Sequence, residues 1–277
     1  MGVVNVTPDS FSDGGAYEDP AAAVAHAARL AEEGADILDI GGESTRPGST
    51  GVSAVEEMRR VVPVIEGVRA AGVTTRISID TSKAAVAEAA AAAGADYVND
   101  VTALRGDPEL AGVVVDRGAD VCLMHMLGTP RTMQHDPRYD DVVDDVKAFL
   151  VERMAAAVRA GIPEGQIELD PGIGFGKTLE HNLELIDRLD EIVALGRPVV
   201  LGTSRKAFLG RITGRAEPRA RTAATLATLV LGLERGAQVF RVHDVAPARD
   251  ALAVAAATLA RGWPATTLRT STRTTTS

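Results

Sequence analysis

Residues 37–48 read ILDIGGESTRPG: an apolar run from Ile37 to Ile40 that breaks off into polar, glycine-rich text. That text continues from Gly41 to Ser53 and gives way to a stretch of helical composition reaching about Ala71. A short apolar run bounded by glycine reads as a strand, and a longer periodic stretch as a helix. Seven further runs leave in the same way: VVNVTPDSF (3–11), ISIDTSK (77–83), YVNDV (97–101), VCLMHM (121–126), IELDPGIGFGK (167–177), VVLGTSRK (199–206) and VFRVHDV (239–245). Helical stretches of about ten residues or more separate most of them, which is the alternation of a parallel sheet. Eight such units close a barrel, so the expected fold class is α/β, a single (βα)8 TIM barrel with its active site at the C-terminal rim of the strands.

The punctuation sets the boundaries. The strands are expected at Val3–Val6, Ile37–Ile40, Ile77–Ile79, Tyr97–Asn99, Val121–Met124, Ile167–Leu169, Val199–Gly202 and Val239–Val242. The first helix is expected from Pro20, since proline suits a first turn, and the last ends near Gly262. Residues 1–262 form the barrel, and the Thr/Ser/Arg-rich tail 263–277, with nothing to bury, is expected to be disordered. Two adjacent rim loops, loop 1 (TPDSFSDGGAYED, 7–19) and loop 2 (GGESTRPGSTGVS, 41–53), are long and polar. Paired loops of that kind argue for a site that closes.

Composition narrows the function classes. With 277 residues, 45% of them hydrophobic, the chain suits one barrel domain. No apolar run reaches the roughly 20 residues that span a bilayer. The start, MGVVNV, has no basic region or cleavage site, so the expected compartment is the cytoplasm. A net charge of −9 without a basic, aromatic-interleaved cluster argues against nucleic acid and for a small-molecule partner. Cys122, the only cysteine, lies inside an apolar run and reads as a buried, inert thiol.

The GIGFGK segment ends like a phosphate-binding P-loop, but Pro171 stands where that loop needs glycine. Lys177 likewise stands where a dinucleotide fingerprint needs its third glycine. These glycines instead allow backbone to approach a flat ligand. Arg241 and His243, two apart on strand 8, face the same way as a cationic pair suited to an anion. Ser204, Arg205 and Lys206, at a helix start, favour a second negative group. Asp39, Asp80, Asp100 and Asp170 leave from strands 2, 3, 4 and 6. So spread, they suit recognition of N–H donors on a heterocycle better than a metal cage.

Together these segments resemble the bacterial dihydropteroate synthases, a pterin-binding enzyme family. The resemblance runs from Met1 to about Arg261. NVTPDSFSDGG and GADILDIGGESTRPG match the family signatures in full, and SIDTSK, NDV, MHM, DPGIGFGK, SRK and RVHDV follow in order and spacing. Family members usually carry a segment ahead of the first strand, whereas this chain starts on it. The barrel floor is therefore expected to be less well covered, or the start trimmed.

The resemblance implies condensation of 6-hydroxymethyl-7,8-dihydropterin diphosphate with 4-aminobenzoate, giving 7,8-dihydropteroate and diphosphate in folate biosynthesis. It assigns Asp80, Asn99, Met124, Asp170, Phe175 and Lys206 to the pterin, and Asn5, Thr45, Arg241 and His243 to the diphosphate. Phe11, Arg46, Pro47 and Ser204 fall to the 4-aminobenzoate. Lys206, Asp13 and Arg46 fall at catalytic positions, and Asn5 is the position that helps hold Mg²⁺. Sulfonamide inhibitors and a homodimer through the late helices are further implications. Two rival readings are a pterin-binding methyltransferase domain that serves a corrinoid and a non-catalytic pterin-binding paralogue. The first has no need of the anion pair, the lysine or the TPDSFSDGG lid; the second should have lost loop 1, loop 2 or SRK.

Overall fold

The computed structural model describes residues 1–7, 20–46 and 48–260. Chain order is β1 (Gly2–Asn5), α1 (Pro20–Glu32), β2 (Ile37–Gly41), α2 (Ala54–Ala70), β3 (Arg76–Asp80), α3 (Ala84–Ala93), β4 (Tyr97–Asp100), α4 (Leu110–Arg117), β5 (Asp120–Met124) and α5 (Val142–Arg159). It continues with β6 (Ile167–Asp170), α6 (Leu179–Asp187), α7 (Leu189–Val193), β7 (Val200–Leu201), α8 (Ala207–Thr213), α9 (Thr222–Glu234), β8 (Val239–Phe240) and α10 (Val245–Leu259).

Strands β1 to β6 pair in sequence order, all parallel, and β7 pairs with β8. Isolated bridges Leu169 to Val199 and Gly2 to Val242 join the two sheets at both edges. Val3 N donates to Val242 O at 2.9 Å, and Leu169 N donates to Pro198 O at 2.9 Å. The ring of eight strands therefore returns to its start, as the alternation of runs and helices predicts.

Side chains alternate across each strand, and the sequence exploits both faces. Leu38 and Ile40 of β2, and Ile77 and Ile79 of β3, join Val61, Val64, Ile65 and Val68 of α2 in the main core between strands and helices. Inward-facing Ile37, Tyr97, Cys122 and Val200 form a small apolar floor inside the barrel. Burial pushes the Cys122 thiol well above its ordinary value, so it is inert. Above the floor the lumen is polar, holding Asp39, Ser78, Asn99 and Arg241.

The structure refines the sequence boundaries in three places. β7 and β8 span two residues each, and closure there is carried by bridges at Val199 and Val242. The stretch after β6 divides at Arg188 into α6 and α7, and that after β7 into α8 and α9, through Gly214 in the left-handed region and a 3-10 turn at Pro218–Arg221. Third, residues 125–141 form another long rim loop, loop 5, ahead of α5. No helix among the described residues is long and apolar enough to cross a membrane. The expected tail 263–277 and most of loop 1 lie outside the described residues.

Candidate active site

The centre of the rim is a charge network built across the barrel. Arg241 at the end of β8 donates from Nε to Asp39 at 2.5 Å and from Nη2 to Asp80 at 2.9 Å. Asp39 is fully buried and also accepts from Ser78 Oγ at 2.6 Å and Asn99 Nδ2 at 3.2 Å. A buried carboxylate needs such partners, and Asp39 has three. It thus sits beneath the mouth, positioning Arg241 and Asn99, and is not a reader of the ligand. Asp100 also leaves the group expected to face the ligand: its carboxylate accepts from Thr102 N, Thr102 Oγ1 and Leu104 N at 2.6–2.8 Å and shapes its own loop. Asp80 and Asp170 remain at the mouth. An arginine has five N–H donors, so two bonds leave Arg241 three for a ligand.

Asp170, at the end of β6, accepts from Gly172 N at 2.6 Å, while burial pushes its carboxyl above the usual range. Burial likewise pushes Asp80 up to about 7, against the pull of Arg241. Lys206 lies opposite, its ammonium brought down to about 8 by burial although Asp170 pulls the other way. Its Nζ lies 4.8 Å from the Phe175 ring centre and donates to Ile173 O. A Cβ added at Gly202 would meet Lys206 Nζ at 3.7 Å, Arg241 Cβ at 3.8 Å and Asp170 Oδ2 at 4.0 Å, so β7 ends where the three side chains converge. Met124 and Phe175 share an apolar cluster with Val101, Met126 and Met133. The result is a slot with one greasy wall and polar groups along its edge, suited to a flat heterocycle.

The glycine-rich loop that carries Phe175 is held from below. Buried Lys177 donates to Phe175 O at 3.0 Å and lies 2.9 Å from His125 Nδ1. Burial holds Lys177 well below its usual range and His125 down to about 2, so the pair shares little charge. Gly172 has φ +68, and a Cβ there would lie 1.8 Å from His125 O; only glycine fits. Loop 5 closes over the outside: Gln134 Nε2 donates to Gly174 O at 2.8 Å, and Tyr139 Oη donates to Gly176 O at 2.7 Å. The sequence assigns Lys177, His125, Gln134 and Tyr139 no site role, although the GFGK and MHM motifs contain the first two.

On the anion side the charge balance differs from the sequence expectation. Burial, with Arg241 and Arg205, holds His243 down to about 3, so its ring is neutral at neutral pH and Arg241 alone is the cation of the pair. His243 Nδ1 lies 2.9 Å from Ser204 Oγ, which also accepts from His243 N at 3.2 Å. Arg205, instead of waiting for an anion, forms a two-pronged ion pair with Asp244 at 3.1 and 2.5 Å. Arg46 is exposed in loop 2, and its charge reaches His243. Asn5 ends β1 in register with Gly41. Thr45 is half-buried in loop 2. Phe11, Asp13 and Pro47 lie outside the described residues. No group of three or more His, Cys, Asp or Glu side chains among the described residues is placed to hold a metal ion.

The closed (βα)8 barrel, with a polar-edged slot beside Arg241 at its rim, is an architecture shared with the pterin-binding enzymes. The sequence model of the family described as "Pterin binding enzyme" matches residues 1–243. The dihydropteroate synthase of Neisseria meningitidis serogroup C is 49% identical over 257 residues, covering 91% of this chain and 89% of that one. A structure of Xanthomonas albilineans dihydropteroate synthase with 4-aminobenzoic acid superposes with a TM-score of 0.88 at 52% identity, covering 94% of this chain and 92% of that one. The Yersinia pestis dihydropteroate synthase in a sulfonamide drug complex superposes with a TM-score of 0.89 at 43% identity, covering 94% of each chain. The chain belongs to the pterin-binding enzyme family, among its dihydropteroate synthases.

Proposed function

We propose that this chain joins 6-hydroxymethyl-7,8-dihydropterin diphosphate to 4-aminobenzoate at this rim, with the residue roles that follow. The observation that carries the reading is Arg241, which reaches Asp80 on the pterin side and keeps donors for the diphosphate. The ionised carboxylates of Asp80 and Asp170 accept from the pterin N–H edge, Asn99 adds an amide, and Lys206 donates to a pterin acceptor. Met124 and Phe175 bracket the ring.

Breaking the C–O bond sends its electron pair to the departing diphosphate and leaves a methylene cation delocalised into the pterin. The site has only to hold the leaving group and keep water out. Arg241, neutral His243 donating an N–H, Asn5 and Thr45 hold the diphosphate. The neutral arylamine then forms the C–N bond and releases its proton to the solvent or the diphosphate, so it needs no general base in advance. Ser204, with Arg46, Phe11 and Pro47, takes the benzoate end. Asp13 and Arg46 belong to the two long rim loops of the sequence. Asn5 offers a hard amide oxygen and no acidic cage surrounds it among the described residues, a donor set that fits Mg²⁺ held mainly by the substrate. When bound, the ion neutralises charge on the diphosphate.

Exposed Val230, Leu231, Val254 and Leu259 on α9 and α10 support a homodimer through the late helices, and a cytoplasmic location suits the substrates. Diphosphate release that requires both substrates tests the reaction; release with the pterin substrate alone, or none at all, would refute it.

A further inference from the structure

Loop 2 carries Thr45 and Arg46, and its base is fastened by three charged residues, of which Glu57 acts on Asp80 of the slot through its charge. Glu43 Oε2 accepts from Val52 N at 3.1 Å, drawing the two ends of the loop into a ring. Within that ring Ser49 Oγ donates to Ser44 O at 2.5 Å and Ser49 N donates to Arg46 O at 3.0 Å. Lys83, just before α3, donates to Glu43 and also to Glu57 of α2. The Glu57 side chain is 0% exposed, and its Oε1 has no hydrogen-bond partner among the described residues. A buried carboxylate so placed depends on the cation beside it, here Lys83. Burial works against the charge of Lys83, yet the bonds to Glu43 and Glu57 hold its ammonium above its ordinary value.

The packing around the clamp is equally specific. A Cβ at Gly42 would meet Val61 Cγ1 at 2.8 Å and Glu57 Cγ at 3.1 Å, so the loop base can lie against α2 only through glycine. Arg60 of α2 donates to Gly42 O at 2.9 Å. Farther out, the loop is tied to its neighbour by Gly48 N donating to Pro130 O of loop 5 at 3.1 Å. The base is fixed through buried charge, and the tip hangs on a backbone bond between two rim loops.

We propose that Lys83 and Glu43 are positioning residues for the second substrate: the Lys83 bridge from Glu57 to Glu43 fixes the base of loop 2, so that Thr45 and Arg46 move as one body toward His243 and Ser204. The inference rests on the substrate assignment above. It differs from a purely structural role in what it spares, because Glu43 and the loop it fastens carry none of the residues of the pterin slot, although Lys83 follows Asp80 by three positions. Ordering of the loop tip is paid for once, at its base, rather than by the 4-aminobenzoate.

Glu43→Gln is the variant of choice, because it weakens the outer end of the clamp and leaves the buried Lys83–Glu57 pair intact. Loss of one charge-assisted bond is expected to speed amide hydrogen exchange in residues 44–52 by about tenfold without changing exchange in the strands. The same variant should bind 6-hydroxymethylpterin as wild type does, while its KM for 4-aminobenzoate rises by about tenfold. Lys83→Arg should retain most of the wild-type KM, and Lys83→Met should lose it with a lower melting temperature. Unchanged exchange in loop 2 of Glu43→Gln would overturn the clamp. Faster exchange with an unchanged KM, or an equal loss of pterin affinity, would overturn the positioning role. Wild-type protein that fails to turn over both substrates would instead sink the functional reading and the substrate assignment with it, leaving exchange to decide the clamp.

Discussion

Asp39 and Arg241 stand 202 residues apart in sequence and meet at 2.5 Å inside the barrel, the carboxylate on β2 and the guanidinium on β8. The contact bridges non-adjacent strands, so the anion end of the site is secured by a residue that never meets the anion. Removing one member of a buried ion pair costs about 3–5 kcal/mol, whereas a neutral isostere keeps the shape. Asp39→Ala is therefore expected to lower the urea midpoint markedly. Asp39→Asn should fold, yet bind the diphosphate substrate poorly because Arg241 loses its aim. Wild-type kinetics in Asp39→Asn would contradict this.

Asp80 and Lys206 set opposite limbs of a pH profile. A pterin N–H donor needs Asp80 ionised, so affinity should climb as pH rises through about 7. A pterin acceptor needs Lys206 protonated, so affinity should fall as pH passes about 8. Calorimetric titration of 6-hydroxymethylpterin across this range should trace a bell. Asp80→Asn should flatten its acid limb and Lys206→Met its alkaline limb. Asp80→Ala and Asp170→Ala should each abolish measurable binding, at about 1–3 kcal/mol per lost hydrogen bond and more for a charged one. Unchanged affinity in both alanine variants would remove these residues from the slot.

The anion end should be distinguishable from the slot by ligand choice. Arg241→Ala and His243→Ala are expected to weaken the pterin diphosphate far more than the bare hydroxymethylpterin, since only the former carries the group they hold. Because His243 is neutral near pH 7, its contribution should show little pH dependence between about 6 and 8, whereas that of Arg241 should shrink as salt screens it. Equal losses for both ligands would put the diphosphate elsewhere.

Part of this site is legible from strand ends. A parallel strand that exits at a rim exposes its last residues there, a rule that puts Asp80, Asp170 and Arg241 at the mouth, whereas Asn99 and Met124 enter only through the family motifs. Asp39 and Asp100 were misread because a carboxylate near a strand end looks the same whether it faces ligand, arginine or its own turn. The charge state of His243 depends on burial and on Arg205, which strand periodicity does not report. Loop 5 escaped attention because its polar residues, 127–141, lack the glycine-rich character that marked loops 1 and 2, though it ties down Gly174 and Gly176.

The second substrate should bind late. Thr45, assigned to the diphosphate, and Arg46, assigned to the benzoate, are neighbours in loop 2, so 4-aminobenzoate is expected to bind measurably only when the pterin diphosphate, or diphosphate itself, is present, and the coupling must be reciprocal. A sulfonamide shares the arylamine and should compete for the same pocket while reaching farther toward solvent. Substitution at Phe11 or Pro47 should raise the sulfonamide inhibition constant more than the KM for 4-aminobenzoate. Tight 4-aminobenzoate binding to the ligand-free protein, or turnover indifferent to saturating sulfonamide, would overturn this.

Gly172 has a bearing on how the enzyme could evade an inhibitor. Any replacement side chain would begin 1.8 Å from the His125 carbonyl oxygen, on a peptide whose N–H Asp170 already holds. A molecule that rests on the backbone at Gly172 would therefore meet a surface that substitution at that position cannot reshape without displacing the His125 carbonyl. Arg46, exposed on loop 2, has no such constraint. Resistance should accumulate at the second-substrate end and spare the pterin floor, which makes the floor the more durable target.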